Sequence, residues 1–311
     1  MKAIRVHTYG DVDTLRYEDA PMPEPGPAEV RVRVHAAAVN PVDWKIRAGY
    51  LQAMIPFEMP LTLGWDMSGV VEKLGADVTG LAVGDAVYSR PDIARDGSYA
   101  EYMVVKASEV ARKPETLSHN EAAAVPLAAL TAWQALFDHA QLQKGERVLV
   151  HAGAGGVGSF AIQFAKWAGA HVIGTASAAN EALVRDLGAD EFVDYRSQQF
   201  EEVLAKVDVV LDSIGGDTQT RSFELLNSGG RLFSLVGPPD EAALAAVGAT
   251  GGWFMVQPSR EALGQIAKLI DAGTVKVLID SVFPLSEARA AHTRSETGRA
   301  KGKIVLEVVP A

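Results

Sequence analysis

The most informative absence in this 311-residue sequence is cysteine, which does not occur. A chain without thiols has no disulfides, no cysteine-ligated zinc and no cysteine nucleophile. Its seven histidines include no pair at the spacing typical of metal ligands, so we expect no metal site. Any redox chemistry must therefore depend on a bound organic cofactor.

Basic charge and long apolar runs are also scarce. The formal net charge is -10, which disfavours binding to nucleic acid or to anionic membranes because their phosphates attract basic surfaces. No segment approaches the roughly 20 apolar residues needed to span a bilayer, and the first residues lack the apolar stretch of a signal peptide. We therefore predict no nucleic-acid partner, no membrane association and a cytoplasmic location.

The sequence divides into two regions with different secondary-structure patterns, and its length is typical of about two domains. Up to about residue 120, short β-rich runs alternate with glycine and proline. In one of them Val30, Val32 and Val34 recur with the period of a strand that buries one face. Beyond that point, apolar strands alternate with amphipathic helices, which predicts an α/β doubly wound parallel sheet. Two later β-like runs, 277–285 and 302–310, are expected to return to the first domain.

A glycine-rich turn follows the apolar strand VLVH and precedes a helical run. The turn contains Gly153, Gly155, Gly156, Val157 and Gly158, which together give G-x-G-x-x-G with one extra glycine. In that context the first glycine permits a tight turn, the second lets the backbone approach a pyrophosphate, and the third packs the helix on the strand. The alternative is a purely structural turn. We predict a dinucleotide site, with the pyrophosphate at the start of the helix.

The end of the next strand indicates which dinucleotide is favoured. An NAD site usually places an acid there to bond the ribose 2′-OH, but residues 175–177 are Thr-Ala-Ser. Without that carboxylate a 2′-phosphate is not repelled, so we predict NADPH as the cofactor. The alternatives are that Ser177 caps the next helix and that the nearby arginines face solvent. The residues predicted to contact the phosphate are Ser177, Asn180 and Tyr195, with charge from Arg185 or Arg196.

Seven segments together resemble one protein family along essentially the whole chain. The sequence resembles the medium-chain dehydrogenase/reductase superfamily, in its zinc-free branch of zeta-crystallin-like quinone oxidoreductases and enone reductases. The segments are NPVDWKIRAG (40–49), LGWDMSGVV (63–71), DGSYAEY (96–102), LTAW (130–133), AGAGGVG (152–158), LGADEFVDY (187–195) and GRAKGKIVLEV (298–308).

This resemblance implies a GroES-like, β-rich substrate domain, residues 1–122 and 257–311, wrapped around a Rossmann domain, residues 123–256. The cofactor is then expected in the cleft between the domains, and a homodimer is expected through residues 253–258. The resemblance also implies further cofactor-binding residues, which are Thr131 near the nicotinamide, Ser213 and Gly215 along the cofactor, and Lys303 near the cleft.

The resemblance also bears on metal chemistry. Zinc-dependent relatives carry Cys and Gly-His-Glu where this chain has Asn40 and the run Gly64, Trp65 and Asp66. Without zinc as a Lewis acid, a hydride acceptor must delocalise its own charge, as a quinone or an α,β-unsaturated carbonyl does. We therefore predict metal-free, NADPH-dependent reduction of a quinone or of an activated C=C bond.

The predicted catalytic residues lie around one short helix. Asn40, Pro41 and Asp43 have the pattern of a helix start. Lys45 is either a surface lysine or a cation that faces the substrate. Our hypothesis is that Lys45 or Tyr50 stabilises or protonates the reduced group, while Asn40 orients ligand or cofactor. The residues that either line a flat acceptor site or belong to the core are Trp65, Tyr88, Phe254 and Met255.

Two other functions remain open from the sequence. The first is a nucleotide-binding protein with little turnover, such as a redox sensor or a structural protein. The second is a zinc alcohol dehydrogenase. Consumption of NADPH in the presence of a quinone or an enone distinguishes the enzyme from the sensor.

Overall fold

A computed structural model describes residues 1–309, which form two compact units. Unit 1 comprises Met1–Leu130, Gln257–Gly273 and the chain from Val277 onward, and unit 2 comprises Thr131–Val256 with Thr274–Lys276. The predicted first boundary, after residue 122, therefore lies before the division in the structure. The predicted run 302–310 and the predicted first domain both extend beyond the described residues.

The described residues contain both strands and helices along their whole length. The strands are β1 (Lys2–Val6), β2 (Arg16–Asp19), β3 (Glu29–Val39), β4 (Leu61–Thr62), β5 (Met67–Leu74), β6 (Ala86–Ser89), β7 (Tyr102–Lys106), β8 (Val110–Arg112), β9 (Arg147–Val150), β10 (His171–Ala176), β11 (Glu191–Asp194), β12 (Val207–Asp212), β13 (Leu226–Ser234), β14 (Thr250–Trp253), β15 (Ile279–Pro284) and β16 (Lys303–Glu307).

The helices are shorter than a membrane span requires. They are α1 (Pro41–Arg47), α2 (His119–Ala123), α3 (Pro126–Trp133), α4 (Gly156–Trp167), α5 (Glu181–Asp186), α6 (Phe200–Val203), α7 (Gly216–Ser222), α8 (Glu241–Ala246), α9 (Arg260–Asp271) and α10 (Ala288–Glu296). Within residues 1–309, none of them combines the length and the apolar character needed to cross a bilayer.

Unit 1 is built around a seven-stranded, mostly antiparallel sheet. Its strand order is β15-β16-β3-β5-β6-β8, and β7 also pairs with β3. Val30, Val32 and Val34 of β3 are fully buried, which confirms the predicted alternation. The antiparallel pairing of β16 with β3, through Ile304 opposite Val39, confirms that the late β-like runs return to this unit.

Unit 2 is a parallel six-stranded sheet with helices in its connections. The strand order is β11-β10-β9-β12-β13-β14, and every adjacent pair is parallel. The order reverses between β9 and β12, which is the arrangement of a dinucleotide-binding doubly wound sheet. The predicted fold class, a GroES-like β-rich part with a Rossmann part, is confirmed.

Candidate functional site

The glycine turn joins the end of β9 to the start of α4 in unit 2. A Cβ atom on Gly158 would overlap the carbonyl oxygen of Ala152, and one on Gly155 would lie 3.2 Å from the same oxygen. Ala152 itself has a φ of +52°, which is uncommon for a residue other than glycine. The turn is therefore tight, and side chains at Gly155 or Gly158 would crowd it.

The first turn of α4 presents backbone donors. Gly155 is the N-cap, and no side chain among the described residues caps the helix. The amides of Gly156, Val157 and Gly158 occupy the first helical positions, where N–H groups have no intrahelical acceptor. The helix dipole adds partial positive charge at this end. These backbone groups fit the pyrophosphate of a dinucleotide.

The predicted phosphate contacts lie at the ends of β10 and β11, which are neighbours because Ala176 is opposite Asp194. Asn180 Nδ2 donates to Ser177 Oγ at 3.3 Å, while Asn180 Oδ1 is buried and has no partner among residues 1–309. Tyr195 is 56% exposed, and the Arg196 guanidinium lies 5.8 Å from its ring centroid. The structure thus brings polar and cationic groups together here.

The two arginines predicted near this phosphate differ in their partners. Arg185 Nε donates to Glu181 Oε1 at 2.8 Å, so its charge is already paired on α5. Arg196 instead stacks on Tyr195. The Arg196 backbone amide donates to Asp194 Oδ1 at 3.2 Å, and the hydrogen bond from Ser197 lowers the pKa of the Asp194 carboxyl.

A buried polar network lies at the carboxyl ends of β9 and β12. Its members His151 and Asp212 were not predicted from the sequence, whereas Ser213 and Gly215 were. His151 Nε2 is 2.9 Å from Ser222 Oγ, and Ser213 Oγ donates to the His151 carbonyl at 3.1 Å. Burial lowers the pKa of His151 to about 4, so the ring is neutral near pH 7. Asp212 Oδ1 accepts from the Gly215 amide at 2.8 Å. A polar residue directly after an apolar strand is the sequence feature that points to such a network.

The predicted residues Asn40 and Lys303 come together with Asp66 inside unit 1. Lys303 Nζ donates to Asp66 Oδ2 at 3.0 Å, to the Val39 carbonyl at 3.3 Å and to Asn40 Oδ1. Asn40 Nδ2 donates to Asp66 Oδ2 at 2.8 Å, and the Leu127 amide donates to Asp66 Oδ1 at 2.5 Å. Burial raises the pKa of Asp66, and the Lys303 charge opposes that rise.

A second buried carboxyl group adjoins this cluster. Asp43 Oδ2 accepts from Tyr99 Oη at 2.6 Å and from the Asn40 amide at 2.8 Å, which confirms Asp43 at the start of α1. Asp43 Oδ1 is buried and has no partner among the described residues. Burial raises the pKa of Asp43 to about 7, against the opposing effect of the hydrogen bonds that it accepts.

The residues at the zinc-ligand positions do not suit a divalent cation. Asn40 Oδ1 and Asp66 Oδ2, the oxygens available for coordination, both accept from the ammonium group of Lys303. A metal ion placed between them would lie beside that positive charge. Residues 1–309 also contain no group of three or more His, Cys, Asp or Glu side chains arranged to hold a metal.

Lys45 and Tyr50 both lie near the ring of Trp44. Lys45 is half-buried, and its Nζ is 5.7 Å from the centroid of the Trp44 ring. Tyr50 is 72% exposed, and its ring meets Trp44 edge-on at 6.3 Å. Both polar groups therefore belong to α1 and the turn that follows it, whereas Asn40 belongs to the cluster at the opposite end of the helix.

Of the predicted aromatic lining, two residues belong to the core. Trp65 and Tyr88 have no exposed surface, and the Tyr88 hydroxyl donates to the Leu263 carbonyl at 2.7 Å. Of the two alternatives for Trp65 and Tyr88, their burial supports the core. Phe254 is partly buried and packs on His139 at 4.3 Å between ring centroids. Thr131 is buried on α3.

Two family profiles match most of the chain. The alcohol dehydrogenase GroES-like domain matches residues 26–115, and the zinc-binding dehydrogenase profile matches residues 187–306. The mitochondrial NAD(P)H oxidoreductase RTN4IP1 of Danio rerio is 38% identical, over 99% of this chain and 92% of its own. The 2-methylene-furan-3-one reductase of Solanum lycopersicum is 39% identical, over 100% of this chain and 80% of its own.

A solved structure has the same fold. The quinone oxidoreductase from Coxiella burnetii superposes with a TM-score of 0.91 and is 36% identical, with 99% of each chain covered. The predicted cytoplasmic location is wrong, since the relatives named RTN4IP1 are mitochondrial proteins. The prediction was weak because the absence of an apolar stretch argues only against a secretory signal, whereas mitochondrial targeting segments are amphipathic.

Proposed function

We propose that this chain, which belongs to the medium-chain dehydrogenase/reductase superfamily among the quinone oxidoreductases and enone reductases, uses NADPH to reduce a quinone or the activated C=C bond of an enone. The chain is a nicotinamide-dependent oxidoreductase of small molecules. The reduced nicotinamide supplies a hydride when it is bound. The chain binds and orients both reactants, and its side chains stabilise the charge that develops.

The observation that carries this choice of acceptor is the ammonium group of Lys303 among the oxygens of Val39, Asn40 and Asp66. Reduction of a saturated ketone leaves a localised alkoxide, which zinc relatives stabilise by Lewis acidity. A quinone or an enone spreads the charge over a conjugated system, so that hydrogen-bond donors suffice. Because the Lys303 ammonium lies between the oxygens at the zinc-ligand positions, a conjugated acceptor that needs no Lewis acid is favoured.

In unit 2 the proposed cofactor contacts begin with the amides of Gly156, Val157 and Gly158, which would hold the pyrophosphate. Gly153 and Gly155 keep the preceding turn tight. Ser177, Asn180 and Tyr195 are proposed to receive the 2′-phosphate, with added charge from Arg196. The absence of an acid at residues 175–177 supports a phosphate-bearing ribose. The remaining proposed cofactor contacts are Thr131, Ser213 and Gly215.

The decisive assay follows NADPH absorbance with protein treated with a chelator and checked for zinc. The acceptors are a quinone, an enone and the saturated ketone with the same carbon skeleton. We expect turnover with the quinone or the enone and none with the ketone. Binding of NADPH without consumption of any acceptor would identify a nucleotide-binding protein with little turnover. Turnover of the ketone that depends on zinc would identify an alcohol dehydrogenase.

Lys45 and Tyr50 are the proposed donors to the reduced acceptor. Loss of one donor to a developing oxyanion typically lowers kcat by about 100-fold to 1,000-fold. Lys45→Ala and Tyr50→Phe test this role, and Lys268→Ala, at an exposed position of α9, is the matched control. If both variants turn over every accepted substrate at the wild-type rate, solvent supplies the proton.

We also propose a homodimer formed through the edge of the unit 2 sheet. Strand β14 is the outermost strand of that sheet, and Trp253 at its end is 37% exposed. Pairing two edges would cover backbone groups that otherwise face solvent. Light scattering with size-exclusion chromatography measures the mass directly, and a Thr250→Pro variant, which removes one backbone N–H donor of β14, is expected to shift the mass toward the monomer.

A further inference from the structure

We propose that Lys303 and Asp66 form a positioning pair, in which the lysine ammonium replaces a bound cation and fixes the orientation of Asn40 and the start of α1. This inference concerns the residues of unit 1 alone. It does not depend on which acceptor the protein reduces.

The N–H donors of the Lys303 ammonium group are all satisfied within the protein. A lysine has three N–H donors, and Nζ of Lys303 has three oxygen acceptors, on Val39, Asn40 and Asp66. The side chains of Lys303 and Asp66 are 5% and 0% exposed. Because no donor remains for a cofactor phosphate, we assign Lys303 a positioning role in place of the predicted cofactor contact.

The Lys303–Asp66 pair favours a single orientation of the Asn40 side-chain amide. Its Oδ1 faces the ammonium group, and its Nδ2 donates to the carboxylate of Asp66 at 2.8 Å. A flip of the amide would place N–H groups against Lys303 and an oxygen against Asp66, so that both contacts become repulsive. The other oxygen of Asp66 accepts from the Leu127 amide, which prevents the carboxylate from rotating to follow such a flip.

The constraint on Asn40 extends into α1, a helix of only seven residues. Asn40 is its N-cap, and the Asn40 amide is held by Asp43. At the other end, Arg47 pairs with Glu296 at 2.5 Å and contacts His292 Nδ1 at 3.0 Å. Buried polar contacts thus hold both ends of the segment that carries Lys45.

Chemical rescue tests whether an ammonium group is what the cluster requires. Lys303→Ala leaves the Asp66 carboxylate buried without its cation, and we expect the thermal midpoint to fall by roughly 10 °C. Propylammonium matches the atoms removed, so it should recover at least half of that loss. Tetramethylammonium, which has no N–H donors, should recover no more than sodium at equal ionic strength. Equal effects of all three salts would overturn the proposal.

A neutral double variant separates positioning from a merely structural ion pair. Lys303→Met combined with Asp66→Asn removes both charges at similar volume, and such replacements often preserve stability. We expect a thermal midpoint within about 5 °C of the wild type. We also expect hydrogen exchange in residues 41–50 to be about tenfold faster, while the 152–158 turn is unchanged.

In an active preparation, kcat of the double variant should also fall at least tenfold with little change in NADPH affinity. Wild-type exchange in residues 41–50 would show that the pair has no positioning role. Because exchange and thermal rescue require no turnover, a failure of the proposed function can be distinguished from a failure of this inference.

Discussion

Lys303 in unit 1 has all three N–H donors directed to protein oxygens, whereas no side chain of residues 1–309 caps the amides that begin α4 in unit 2. Both regions are polar. The hydrogen-bonding groups of the first are satisfied within the protein, whereas the second leaves backbone N–H donors for a ligand. A self-satisfied cluster contributes stability and geometry, and an open helix start contributes affinity for an anion. Substitutions in the two regions should therefore affect different measurements.

The largest effect is expected from Asp66→Asn. Removing one partner of a buried ion pair typically costs about 3–5 kcal/mol because the other charge is left uncompensated. Asp186→Asn is the matched control, since the Asp186–Lys276 pair is 69% and 63% exposed and exposed pairs contribute about 0–1 kcal/mol. Urea denaturation measures both variants. If the two substitutions cost the same, the cluster in unit 1 does not hold a tightly coupled pair.

The next effect is a pH dependence caused by Asp43. Its folded-state pKa of about 7 lies above the ordinary value of 3.8, so the folded protein binds more protons than the unfolded chain between these values. The contribution of Asp43 to the free energy of unfolding is therefore lost as the pH rises from about 4 to about 7, by about 1.4 kcal/mol per pKa unit. Asp43→Asn should remove this slope. Parallel stability curves for wild type and variant would contradict it.

A smaller and more local effect is expected from Gly158→Ala in unit 2. The added Cβ would overlap the Ala152 carbonyl oxygen, and the resulting shift of the α4 amides should weaken NADPH binding by about 100-fold, or about 2.7 kcal/mol. Gly264→Ala is the control, because within the part of the chain that the structure describes a Cβ on Gly264 has no atom within 4 Å outside the local backbone of its helix. Calorimetric titration measures both variants. Unchanged affinity of Gly158→Ala would place the pyrophosphate elsewhere.

The smallest effect is expected from Ser177→Asp at the end of β10. A carboxylate there would repel a 2′-phosphate and accept from a ribose 2′-OH. The ratio of kcat/KM for NADPH to that for NADH should fall by roughly tenfold, which corresponds to about 1.4 kcal/mol. Ser197→Asp, two residues beyond Tyr195, provides a comparison that adds the same charge outside the proposed contact. A ratio that falls equally in both variants would reflect general electrostatics alone.

Local pattern was enough to predict the glycine turn, because spacing, the preceding apolar strand and the following helix all lie within about 20 residues of one another. The alternation in β3 was equally local. The cytoplasmic prediction failed for a different reason, since composition carries little information about targeting. Both alternatives for Trp65 and Tyr88 stayed open from the sequence because residue type alone does not distinguish a core aromatic from one that lines a site.

The cluster formed by Asn40, Asp66 and Lys303 could not be predicted from local sequence patterns. Asp66 and Lys303 are 237 positions apart, and their meeting depends on β16 pairing with β3 next to Val39. The family resemblance drew attention to Asn40, Asp66 and Lys303 separately. Only the tertiary structure shows that the lysine ammonium lies between the oxygens at the zinc-ligand positions.

The proposed reaction transfers a hydride from NADPH to a conjugated acceptor without help from a divalent cation. The most direct measurement is the rate of NADPH consumption by chelator-treated, zinc-free protein with an enone, combined with identification of the product. We predict undiminished turnover and a saturated product whose carbonyl group is intact. Loss of activity that zinc restores, or reduction at the carbonyl to an alcohol, would contradict the account.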